Sequence, residues 1–102
     1  MATGLMRYVE YIVWNNYSAS AGEVSPETDV SRLNRFTVLV SVSAATTITM
    51  QYQIFESWVD RDKMTFTGAG ADWWVVWADN PKKIRFRTSA AATITIAVFG
   101  KT

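Results

Sequence analysis

The sequence predicts an all-β protein, a single antiparallel β-sandwich or jelly-roll-like domain of about seven or eight strands spanning residues 1–102. Three observations lead there. Thr, Val and Ile supply 29 of the 102 residues and Leu only three, so the apolar content is β-branched and aromatic rather than of the straight-chain kind helices favour. Several stretches alternate apolar and polar residues with period two, as a strand with one buried face requires. The length suits one hydrophobic core and leaves no room for a second of ordinary size.

Taken in order, residues 6–14 are the first element. Tyr, Val, Ile and Trp dominate it and no capping box opens it, which favours a strand. Leu5, Tyr8, Val9, Ile12 and Val13 also fit a helical spacing, so strand and helix both stay open. Asn15 to Asn34 is polar and aperiodic, with Gly22, Glu23, Pro26, Glu27 and Asp29, and reads as a long loop or an arm that orders on a partner. Phe36, Val38, Val40 and Val42 alternate with polar neighbours, then Ile48, Met50, Tyr52 and Ile54 do the same. The two runs suggest a hairpin about Ser43 to Thr46. Met64 and Phe66 make a further strand, ended by Gly68-Ala69-Gly70. Trp73 to Trp77 is apolar on both parities, so it is covered on both faces or meets a partner, and Asn80-Pro81 stops it. Ile84 with Phe86, and Ile94 with Ile96 and Val98, complete the set. One echo is visible: Ser43 to Met50 recurs as Ser89 to Ile96 at an offset of 46 residues, as two equivalent hairpins in a folded-over sandwich would give.

The chemistry in the chain is sparse. There is no Cys and no His, which removes disulfides, thiolate metal sites and the commonest general base. Asp60 with Asp62, and Asp72 with Asp79, are conceivable carboxylate pairs. A glycosidase cleft is hard to build at this length, though, and no EF-hand spacing surrounds Asp60-x-Asp62. No nucleophile elbow or phosphate-cradling glycine loop occurs. The chain therefore reads as a non-enzyme with no cofactor and no metal. Ten basic and nine acidic residues leave a net charge of +1, too little to gather nucleic acid or an anionic membrane. Lys82, Lys83, Arg85 and Arg87 form the one basic cluster, a possible nucleic-acid or partner contact but more simply a charged strand that discourages aggregation. Arg7 and Glu10 interrupt the one candidate signal segment, Leu5 to Trp14, so no secretion signal is expected. The longest apolar run, Trp73 to Ala78, is six residues, against about 20 for a membrane helix.

The surplus of tryptophan is the most informative feature. Trp14 and Trp58 can fill a core, but Trp73 and Trp77 share one parity and Trp74 the other, so a single-sided core cannot hold all three. Either Trp73 with Trp77, or Trp74 with Val76, is expected at an interface or ligand platform. Two readings follow: a structural protein that works through its surfaces, or a carbohydrate-binding module that stacks sugars on tryptophan.

Asn80-Pro81-Lys82-Lys83-Ile84-Arg85-Phe86, the Thr-Ile-Thr alternation and the ending Ala92-Thr93-Ile94-Thr95-Ile96-Ala97-Val98-Phe99-Gly100-Lys101 resemble, over the last two-thirds of the chain, the small β-sandwich decoration or cement proteins of tailed phages. That resemblance implies a bacteriophage virion component, made in the host cytoplasm, that oligomerises, often as a trimer, and reinforces the shell by sitting on a capsid protein. It carries no residue-level site with it.

Overall fold

A computed structural model describes residues 8–77 and 79–102. It contains eight strands: β1 (Tyr8–Ala19), β2 (Thr28–Asp29), β3 (Arg35–Val42), β4 (Thr46–Ile54), β5 (Ser57–Phe66), β6 (Gly70–Val76), β7 (Lys83–Thr88) and β8 (Ala92–Lys101). They form two four-stranded antiparallel sheets, ordered β1-β8-β3-β6 and β2-β7-β4-β5. This is the β-sandwich that the period-two patterns require. Val38, Val40, Ile94, Ile96 and Val98 enter the core from the first sheet and Ile48, Met50, Ile84 and Phe86 from the second, all fully buried. Each such side chain contributes about 1.5–3 kcal/mol over its exposed state.

The first element is a strand, and its helix-like spacing has a physical cause. Register shifts interrupt the β1–β8 pairing between Ile12 and Trp14 and again between Trp14 and Tyr17. The extra residue turns both Val13 and Trp14 toward the core, while the helix-like spacing arises from Ile12, which is apolar yet stands on the outer face, 55% exposed, between inward Tyr11 and Val13. Positions 6 and 7 of the expected element and Ala78 of the tryptophan strand lie outside the described residues.

Segment 15–34 departs from the expected loop or arm. Its first five residues continue β1, and Thr28 and Asp29 pair with Ile84 and Lys83 of β7. The Ser25 amide donates to the Phe86 carbonyl at 2.7 Å, and the Phe86 amide donates to Ser25 Oγ at 2.9 Å. Ala19, Ser25, Val30 and Leu33 are buried. The segment thus lies over its own core, where a few apolar anchors and backbone pairing with β7 offset the entropy its polar composition would otherwise leave unmet.

Two further expectations are corrected. Parity places Ile54 in the core, but it ends β4 and is half exposed, because the chain turns at once through Phe55, whose φ is 57°. The expected hairpin about Ser43 to Thr46 is instead a corner that carries the chain from one sheet to the other, β3 and β4 being in different sheets. Ser89 to Ala91 is a second such corner. The sequence echo records this pairing: Ser43 N–H donates to the Thr93 carbonyl and Ser89 N–H to the Thr47 carbonyl, each at 3.0 Å. The return bonds match as well, from Thr93 N–H to Ser43 Oγ and from Thr47 N–H to Ser89 Oγ, each at 2.9 Å. The two copies meet about a local two-fold axis and close one end of the sandwich.

Candidate interaction surface

β6 resolves the two parities of the tryptophan strand. Trp74 and Val76 face inward opposite Val38 and Phe36. Val76 is buried, and the Trp74 ring lies 6.2 Å from that of Phe86, with its Nε1–H donating to Asp62 Oδ2 at 3.1 Å. Trp73, Val75 and Trp77 face outward, 59%, 48% and 62% exposed.

Register extends that outer surface across the whole sheet. Trp73 pairs with Leu39, Leu39 with Ala97, and Ala97 with Ile12. The next row is Val75, Thr37, Phe99 and Glu10. A third holds Arg35 and Lys101, and the Arg35 guanidinium sits over the Trp77 ring, 4.5 Å from its centroid. Ile12 and Leu39 are 55% and 41% exposed. A groove of about 470 Å³ opens at this end, between Arg35, Trp77, Phe99 and Lys101. At its floor Gly100 has no room for a side chain, because a Cβ would lie 3.0 Å from Phe36 Cα and collide with the Arg35 carbonyl oxygen.

Sequence reasoning singled out Trp73, Trp74, Val76 and Trp77. It placed Val75 on one face with Trp73 and Trp77 but missed Ile12, Leu39 and Phe99 as members of that surface. Leu39 stands on the polar parity of its strand, and Ile12 precedes a bulge. The Leu39 anomaly is visible in the sequence and the bulge is not, and only cross-strand register brings both residues beside the tryptophans.

The outer face of the second sheet is different in kind. Arg85 Nε donates to Gln51 Oε1 at 2.7 Å, and Gln51 Nε2 donates to Asp60 Oδ1 at 2.8 Å. The Arg85 guanidinium covers Trp58 at 4.4 Å. Arg87 approaches Asp60 at 3.8 Å and Lys83 approaches Glu27 at 3.6 Å. Three members of the basic cluster are therefore engaged by the chain itself, and Lys82 is exposed beside them.

The carboxylates do not converge. A bulge in β5 opposite Met50 and Gln51 sends Asp60 to the outer face and Asp62 toward Trp74, although their spacing would place them together on a regular strand. Asp79 accepts from the Tyr52 hydroxyl at 2.7 Å and from Arg61 Nε at 3.1 Å. The Tyr52 hydrogen bond, with Arg61 behind it, holds the Asp79 carboxyl below its ordinary range. Desolvation and the bond to Asp79 push the Tyr52 phenol up. The Asp72 carboxylate accepts from the amide of Trp73 at 2.8 Å. Among the described residues, no group of three or more carboxylates is placed to hold a metal ion, and no helix is long and apolar enough to cross a membrane.

Two four-stranded antiparallel sheets around one core define an eight-stranded β-sandwich with one apolar outer face. The crystal structure of the SPBc2 prophage-derived protein YomS has a similar fold, with a TM-score of 0.76 over 100% of this chain and 99% of that one, at 11% sequence identity. No protein-family model and no curated protein sequence matches the chain.

Proposed function

We propose that this chain is a non-enzymatic structural protein of a bacteriophage particle, a decoration or cement component that acts through contacts made by its own surface. The observation that carries this reading is the apolar face that Ile12, Leu39, Trp73, Val75 and Trp77, with half-buried Phe99 among them, form across the outer side of the first sheet. Exposed faces of that extent mark association. The prophage origin of YomS, whose fold this chain shares, adds support for a phage setting. The engagement of Asp60, Asp62 and Asp79 by Gln51, Trp74 and Tyr52 agrees with an architectural rather than a chemical use of the acids.

The test is immunogold labelling of particles released from cells that carry the gene. Labelling of the shell is expected; particles that never carry the protein would refute the reading.

A carbohydrate-binding role is the second reading, favoured by the two open tryptophans on one face. A sugar stacked there needs hydrogen-bonding groups at its rim. The neighbours of Trp73 are Leu39 and Val75, and one ring face of Trp77 is occupied by Arg35. Saturable quenching of tryptophan fluorescence by an oligosaccharide would establish this second reading in place of the first.

A further inference from the structure

We infer that the outer face of the β1-β8-β3-β6 sheet packs against the same face of a second copy of this chain, forming a two-fold dimer. The inference rests on the reading of that face as the working surface and names its occupant. Five exposed apolar side chains, Ile12, Leu39, Trp73, Val75 and Trp77, with half-buried Phe99 among them, present roughly 600 Å² of open surface, the upper end of what a monomer leaves uncovered. A standard interface buries about 800 Å² per partner, so this apolar centre with its polar rim is of the size a stable dimer needs. The face is also self-complementary in charge. Glu10 stands at one rim and Arg35 and Lys101 at another, so a two-fold copy can set acid against base. A net charge of +1 per chain opposes pairing little.

The face, rather than an edge, is what this sheet offers. At the β6 edge the Asp72 carboxylate already occupies the amide of Trp73, and at the β1 edge the strand is bulged twice. Both devices discourage addition of a strand. A face spanning four strands can be covered whole by one isologous partner, whereas in a three-fold ring it is divided between two neighbours. Sheets pack in this way about 10 Å apart, aligned or crossed.

Sedimentation equilibrium on the full chain tests this. At about 10 µM the wild type should have twice the 11.5 kDa chain mass. Trp73→Ser should weaken the dimer by ~30-fold or more, as a hot-spot anchor does. Val75→Lys should also dissociate it, by burying an unpaired charge. Asp72→Ala should leave it intact. Circular dichroism establishes that each variant is folded. Dilution of the wild type, which needs no variant, should red-shift tryptophan emission as Trp73 and Trp77 meet water. A monomer at every concentration, a trimer, or a dimer indifferent to both face substitutions would overturn the inference. If such a protein still labels phage particles, only the self-pairing is wrong; if a dimer forms and particles stay unlabelled, the dimer stands and the virion role fails.

Discussion

Thr46 and Thr88 carry a hydrogen-bonded ring whose energetics can be worked from the structure. The Ala90 amide donates to Thr46 Oγ1 at 3.1 Å, the two threonine oxygens are 2.6 Å apart, and Thr88 Oγ1 donates to the Ala90 carbonyl at 2.8 Å. One direction of donation satisfies all of them: Ala90 N–H to Thr46, Thr46 O–H to Thr88, Thr88 O–H to Ala90 C=O. Both side chains are buried, so an unmet polar group there costs about 1–3 kcal/mol. Valine fills the same volume and removes only the hydroxyl. In Thr88→Val, the Thr46 hydroxyl can turn to the Ala90 carbonyl, already 3.4 Å away, and the loss should be near 1 kcal/mol. In Thr46→Val the Ala90 amide loses its acceptor, and the loss should reach about 2–3 kcal/mol. The bond between the threonines is lost in either single variant, so the double variant should fall short of the sum by about 1 kcal/mol. Urea unfolding with an unchanged slope measures all three. Strict additivity, or a larger effect at Thr88 than at Thr46, would refute the ring.

Gly100→Ala should destabilise the fold by about 1–3 kcal/mol, since its Cβ would press on Phe36 and on the Arg35 carbonyl; a melting temperature equal to wild type would contradict that close approach. Asp79→Asn should be less stable than wild type at neutral pH, with a gap that closes in acid. The folded carboxyl is held low, first by the Tyr52 hydrogen bond, so its contribution is complete above the unfolded value near pH 4. It fades as pH falls through the folded value. Thermal melts from pH 7 to about pH 2.5 read this directly, and a gap independent of pH would show that the Tyr52–Asp79–Arg61 contact carries no charge-dependent stability.

The alternating strands β3, β4, β7 and β8 were legible because each buries one face against one core. Ile54 shows the limit of parity: it continues the alternation of β4, yet the sheet ends there and no second layer covers it. β5 was legible only at its Met64–Phe66 end. Its first seven residues, Ser57 to Lys63, set Trp58 and Val59 on opposite parities and follow them with four charged residues, so no alternation shows, and its bulge separates Asp60 from Asp62. The echo of Ser43 to Met50 in Ser89 to Ile96 was visible, but whether such a segment turns within one sheet or crosses between two depends on non-local pairing. The same limit applied to the tryptophans: their parity required one pair to face outward, and only the β6–β3 register identified Trp73 and Trp77 as that pair.

The two outer faces form an internal comparison. Trp58 on the second sheet lies on a solvent side yet is partly covered, with Arg85 over its ring and the Gln51, Asp60 and Arg87 lattice beside it. That sheet finishes its own surface with polar groups that satisfy one another. On the first sheet Trp77 receives one such cover from Arg35, while Trp73, Val75, Leu39 and Ile12 remain open. Within this sheet the edge at Trp73 is stopped by Asp72 and the face beside it is left apolar, so pairing through the backbone is discouraged while contact through side chains is retained. That combination suits a surface that closes against a partner of matching shape and does not grow strand by strand.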